Sequence, residues 1–154
     1  MGNPMFIEMM NAMGGNGISM GHTDTYSALQ TGVVDGAENN PPTFFASNQY
    51  TAGPKFYSQT THLIIPELFV MSKVAWDKMS KDEQGLVMKL SREAQMEQRQ
   101  LWDKSVGEYT AKLKAYGIQF VNVDKKPFYD ATAPMRAKYG TQYADLIKRI
   151  EAVK

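Results

Sequence analysis

Six side chains of the 154-residue sequence stand at the expected ends of elements and carry hydrogen-bonding groups: His22, Glu38, Asn39, Asn40, His62 and Glu67. Amides, imidazoles and carboxylates can donate to or accept from each hydroxyl of a polyhydroxylated ligand in fixed geometry. Left buried and unpaired, each costs roughly 1 to 3 kcal/mol, so a ligand or water must satisfy those that are buried. This set favours binding over catalysis. Other chemistries find less material. The two histidines belong to no HExxH-type motif, so no metal site is expected. Cysteine is absent, which excludes disulfides, thiolate nucleophiles and cysteine-ligated zinc or iron–sulfur sites. There is no GxSxG elbow and no GxxxxGK[ST] loop, and Gly14-Gly15-Asn16-Gly17 lacks the strand and helix that flank a phosphate cradle, so it is read as a turn. A small hydrolase or lyase using Glu38 or Glu67 as base with His62 stands as the alternative, although local context singles out no carboxylate pair.

The composition sets the frame for these groups. Lys and Arg number 17 against 16 Asp and Glu, a formal charge of +1, so the chain carries no polyanion-binding signature and nucleic acid is not an expected partner. Hydrophobic residues make up 43% and aromatics 11%, enough to fill a core, and the length suits a single domain. No apolar run exceeds four residues, and residues 63–65 are broken from 68–71 by Pro66 and Glu67, far short of the roughly 20 residues of a membrane span. No basic segment and long apolar stretch open the chain, so no export signal is read at its start.

The elements that must hold the six side chains follow from caps and breakers. Asn3-Pro4 is an N-cap and first-turn proline, and the apolar run 5–13 predicts a short buried helix stopping at Gly14-Gly15, its methionines core filler rather than a binding surface. Residues 18–20 predict a strand. Thr23 or Asp24 can cap a helix running to Gln30 and ending at Gly32. Residues 37–40 predict a second short strand, halted by Pro41-Pro42. In open α/β sheets the carboxyl ends of strands face the ligand crevice, so Glu38, Asn39 and Asn40 form either a site or a solvated turn. The aromatics Phe44, Phe45, Tyr50, Phe56 and Tyr57 predict an irregular helix and loop on the core. Residues 62–65 and 68–71 predict two β segments around Pro66-Glu67, at an edge, a bulge or a crossover.

Ser80-Lys81-Asp82-Glu83 is a capping box, and Leu86, Val87, Leu90, Ala94, Leu101, Val106, Leu113 and Tyr116 follow at helical spacing as far as Gly117. Such a helix is about 50 Å long, enough to bridge two lobes. Its mixed-charge face, including Arg92, Glu93, Arg99 and Asp103, reads as a solvated surface rather than a docking face. Residues 118–123 predict a strand, and residues 126–154 predict two amphipathic helices split near Gly140.

The string YSALQTGVVDGAEN at residues 26–39 closely resembles the signature of the periplasmic solute-binding proteins of tripartite ATP-independent periplasmic (TRAP) transporters, the DctP-type family. Asn3-Pro4 to Gly15, Val70-x-Ser72 to Trp76, and the Met-Ser-x-x-Glu-Gln pattern from Met79 to Gln84 support it, so the likeness covers nearly the whole chain. The resemblance implies an α/β chain, part of a two-lobed periplasmic-binding-protein-like fold with a long lobe-bridging helix. It implies a periplasmic receptor that closes on an organic acid and delivers it to a membrane permease pair driven by an ion gradient, with no enzymatic activity and no cofactor. Asn39 matches the asparagine that contacts the bound acid in the family. His22 stands where an aromatic usually packs against the ligand, which keeps ring stacking and adds a hydrogen bond and a pH response. The run Glu38-Asn39-Asn40 with Pro41, and His62-x-x-x-Pro66-Glu67, resemble the branch that takes sugar acids such as hexuronates rather than C4-dicarboxylates. The family's carboxylate-clamping arginine precedes the Asn-Pro helix, so by that pattern it falls upstream of Met1. On this likeness the chain is a C-terminal portion, with cleft strands and helices over 1–72, the bridging helix over 80–117, and a strand with C-terminal helices over 118–154.

Overall fold

The computed structural model describes residues 3–153, so residues 1, 2 and 154 of the ranges above lie outside it. Local signals open and close most of the helices. In α1 (Pro4–Ala12) the Asn3 side chain accepts the Met5 N–H at 2.9 Å, and Pro4 takes the first turn, where its missing donor costs nothing. Helix α2 (His22–Thr31) stops at Gly32, which adopts φ 73°, a left-handed conformation that a Cβ disfavours. Helix α3 (Pro41–Ala46) starts on its two prolines and is followed by a 3-10 turn over Gln49–Thr51. Ser72 caps the single turn α4 (Lys73–Trp76). The 36-residue α5 (Lys81–Tyr116) carries the full capping box: Ser80 Oγ accepts the Glu83 N–H at 3.3 Å, and Glu83 accepts the Ser80 N–H at 2.7 Å. At 1.5 Å per residue it runs about 54 Å. Gly117, at φ 113°, ends it and turns the chain so that Ile118 N–H reaches the Leu113 carbonyl at 3.0 Å.

That reversal delivers the strand after the long helix onto the aromatic loop. Strands β1 (Phe56–Ser58) and β2 (Gln119–Val121) pair in parallel, with Tyr57 opposite Phe120. The core lies where α3, the last turns of α5 and this pair converge: Phe44, Leu113 and Ile118 are buried together, with Phe45, Tyr50, Tyr57 and Phe120 packed around them. Phe45 stacks on Tyr50 at 4.9 Å, and Tyr50 meets Tyr116 edge-on at 4.7 Å. The chain is therefore a mixed helix-and-sheet fold; Phe44, Phe45, Tyr50 and Tyr57 pack on the core as expected, whereas Phe56 is exposed and residues 56–58 form a strand rather than a loop.

Four expectations need correction, the first at α2, which starts on Gly21 with no side-chain cap rather than on Thr23 or Asp24. Residues 18–20, 37–40, 62–65 and 68–71 form no strand and pair with nothing among the described residues. Alternation and β-branched content select extended backbone, whereas a ladder needs a neighbouring strand in register. In that unpaired stretch Ile64 and Phe69 are 94% and 83% exposed. The apolar helix α1 is not buried: Met9 alone is, because the helix packs by one face on α7 (Ala133–Gly140). The C-terminal segment holds three helices rather than two. Helix α6 (Lys126–Ala131) breaks from α7 at Thr132, since Pro134 has no N–H to continue the ladder, and a 3-10 turn over Thr141–Tyr143 leads into α8 (Ala144–Glu151).

Helices α1 and α7 are tied across the chain. The Glu8 carboxylate accepts from Tyr139 OH at 2.6 Å and from Lys138 Nζ at 3.0 and 3.1 Å. The Tyr139 hydrogen bond first, then that of Lys138, holds the Glu8 carboxyl below its ordinary 4.5, and Lys138 is raised in return. A depressed carboxylate pKa contributes stability above the unfolded value and loses it as pH falls through the folded one. The melting temperature of the unmodified chain is therefore expected to exceed that of Glu8→Gln at pH 7, with the gap closing below about pH 4. A gap that stays constant down to pH 3 overturns the link.

Candidate functional site

Two of the predicted side chains, Asn39 and Asn40, stand at the start of α3. Asn40 ends the run 37–40 and caps α3, its Oδ1 accepting the Thr43 N–H at 2.9 Å. Its own backbone N–H donates to Asn39 Oδ1 at 3.0 Å. Because a backbone N–H is an unambiguous donor, the atom it meets on Asn39 is the oxygen, and the other amide atom is the NH2 group. That NH2 donates to Gln49 Oε1 at 3.0 Å. Gln49 is 2% exposed and sits in the 3-10 turn after α3. The Asn39 amide is thus oriented from both ends. It keeps one N–H and one lone pair free, a donor and an acceptor side by side.

The backbone of Asn39 is held as well. Tyr57 OH, from β1, donates to the Asn39 carbonyl at 2.6 Å. Burial first, and then the Glu38 charge, push the Tyr57 phenol above its usual range, so it stays a neutral donor at pH 7.

The other four predicted residues divide. His22 is the first residue of α2 and is exposed. It lines an open depression of about 390 Å³ with Pro42, Thr43, Ala46 and Ser47 of α3 and Tyr109 of α5. The imidazole and the Asn40-capped helix therefore border one concavity, floored by an aromatic ring. Glu38 lines a second, smaller cavity of about 50 Å³ with the α1 side chains Phe6, Met9 and Met10 and with Leu63, the residue after His62. His62 shares a 2.7 Å contact between its Nδ1 and Thr60 Oγ1, while its Nε2 is buried without a partner among the described residues. A buried ring nitrogen in that state invites a polar group from a ligand or water. Glu67 lies exposed on the unpaired stretch, apart from both concavities.

Sequence reading overlooked Gln49 and Tyr109, and it read Tyr57 only as core. Gln49 sits ten residues from Asn39 and meets it only because α3 folds the chain back, so no local spacing announces the pair. Tyr109 belongs to an apolar helical stripe that otherwise reads as packing. Among the described residues no group of three acidic, histidine or cysteine side chains is placed to hold a metal ion, and no helix is long and apolar enough to cross a membrane.

Residues 1–142 match the family described as bacterial extracellular solute-binding protein, family 7 (DctP). A TRAP periplasmic solute-binding protein from Pseudomonas putida F1, solved with bound D-glucuronate, is 60% identical and superposes with a TM-score of 0.95 over 99% of this chain and 50% of that one. Its counterpart from Citrobacter koseri, also with bound D-glucuronate, is 47% identical with a TM-score of 0.92 over 99% of this chain and 50% of that one. A solute-binding protein of Chromohalobacter salexigens is 35% identical over 131 residues, 85% of this chain and 39% of its own length. The chain thus spans about half the length of the solved structures it matches, or less of the curated relative.

Proposed function

Because this chain belongs to the bacterial extracellular solute-binding protein family 7, we propose that it forms the ligand-closing part of a periplasmic receptor that binds a sugar acid, of the hexuronate class, and hands it to a TRAP membrane permease. The observation that carries the reading is the Asn39 amide, pinned by Asn40 N–H and Gln49 Oε1 and left with one donor and one acceptor. That pair suits a carboxylate oxygen beside a hydroxyl, the pattern a sugar acid offers and a simple dicarboxylate lacks. D-glucuronate in two relatives of 60% and 47% identity supports the ligand class.

In this reading Asn39 contacts the acid and His22 stacks on or bonds to the sugar ring from its depression. Glu38 and the unpaired Nε2 of His62 serve hydroxyls from the side of the smaller cavity. Asn40 acts through its cap on α3, and Glu67 enters only where closure brings its segment to the ligand. The family is one of solute receptors, and no residue is assigned a catalytic step. A ligand that bridges two lobes stabilises the closed form by the difference of its affinities for the closed and open states. Residues 80–117 then serve as the bridging helix, between cleft elements over 1–72 and the terminal elements over 118–154.

Calorimetry on a full-length receptor carrying this sequence, titrated with D-glucuronate, D-galacturonate and succinate, tests the reading. Hexuronates are expected to bind more tightly than succinate, and Asn39→Ala to weaken them about tenfold to a hundredfold, the loss of hydrogen bonds to a charged group. Succinate binding as tightly as either hexuronate, or release of a chemically changed sugar, overturns it.

A further inference from the structure

Resting on the reading of Asn39 as a ligand contact, we infer that Gln49 is a positioning residue of the binding site: it sets which way round the Asn39 amide faces the ligand. Gln49 is 2% exposed whereas Asn39 is half-buried, so of the two bonded amides it is Asn39 that is accessible. Gln49 Oε1 takes one hydrogen of the Asn39 NH2 at 3.0 Å. The Asn40 N–H, at 3.0 Å, holds the opposite side. These two bonds act as a polarity lock. With both in place, Asn39 offers its remaining N–H on the Gln49 side and its remaining lone pair on the Asn40 side. A ligand is then read in one order, oxygen acceptor at the first and hydroxyl donor at the second.

The remaining supports locate the backbone but leave the amide free to turn. Tyr57 OH bonds the Asn39 carbonyl rather than its side chain, and Asn40 Oδ1 serves α3. Without an acceptor at position 49, only the single Asn40 bond opposes rotation about the last side-chain torsion, which is soft at a terminal amide. An amide that must be ordered on binding weakens the complex even though every ligand contact is still available. Gln49 itself is held by its place in the core: its turn connects α3, which packs on α5, to the aromatic loop with Tyr50. Its reach to Asn39 spans that turn and gives the buried amide a hydrogen-bond partner.

The test is a double-mutant cycle in a full-length receptor that carries this sequence, with D-glucuronate as probe. Gln49→Met keeps length and removes the acceptor; it is expected to weaken binding about tenfold alone and by less than about twofold when added to Asn39→Ala. An equal loss in both backgrounds means that Gln49 acts only through the fold, and overturns the proposal while leaving the Asn39 reading standing. No loss in either background overturns it as well. If Asn39→Ala itself leaves affinity unchanged, the reading beneath the proposal fails, and the proposal with it. A measurement on the unsubstituted receptor covers the case in which Gln49→Met does not fold. The Asn39 side-chain NH2 is expected to show one proton protected from solvent exchange in ligand-free protein, and two equally fast protons overturn the lock.

Discussion

The 154-residue chain by itself is expected to bind D-glucuronate about thirtyfold to several thousandfold more weakly than a full-length receptor that carries it. The groups described as candidates for the ligand are an amide, two imidazoles and a carboxylate: Asn39, His22 and His62, and Glu38. They suit hydroxyls, and none is the guanidinium or ammonium group that pairs most strongly with a carboxylate. The family likeness assigns that task to an arginine ahead of the Asn-Pro helix, and the chain spans only half the length of its solved relatives. A carboxylate desolvated against hydrogen-bonding groups alone loses the partner that offsets its desolvation, which costs about 2 to 5 kcal/mol. Calorimetry of the isolated chain and of the full-length receptor in one buffer decides the matter. Micromolar binding by the chain alone sinks the prediction and moves the anion-binding role onto residues 1–154.

Leu113→Ala is expected to destabilise the fold by about 2 to 5 kcal/mol, the range for deleting a buried leucine side chain. Leu113 is 0% exposed and is packed with Phe44 and Ile118 at the junction of α3, α5 and the strand pair. Its neighbours are held by helix caps and parallel hydrogen bonds, so they collapse only partly into the space left. Total stabilities of domains run to only about 5 to 15 kcal/mol, so one such deletion removes a large share. The site is coupled to it, because α3 rests on this leucine while its first turn is capped by Asn40 and its following turn carries Gln49. Urea unfolding measures the loss, with Leu101→Ala as control: Leu101 is 58% exposed on the same helix, and its change is expected to stay within about 1 kcal/mol. Equal midpoints for the two variants contradict the assignment of the core.

The local devices were legible residue by residue. The Asn3-Pro4 start, the left-handed Gly32, the Ser80 to Glu83 box and the Gly117 stop each depend on groups within four or five positions, and all are found where spacing puts them. The aromatic stretch before β1 also packs as its composition predicts. The strand expectations at 18–20, 37–40, 62–65 and 68–71 fared differently, because an extended run becomes a strand only when a second run lies beside it. The site showed the same division. Asn39 was singled out from the family string, yet the orientation of its amide was invisible until Gln49 and Asn40 N–H were seen on either side. Asn40, expected at the ligand, works as a cap.

By itself, then, the sequence determined the caps at Asn3 and Ser80, the stops at Gly32 and Gly117, and the family, since each rests on short-range bonding or on a contiguous string. Only the tertiary structure decided which extended runs pair, that His22 and Tyr109 border one concavity, and that Gln49 sets the face Asn39 presents. The reason is physical. A hydrogen bond between residues far apart in the chain depends on how helices α3 and α5 pack, and packing is settled by the sum of many weak contacts that no single spacing records.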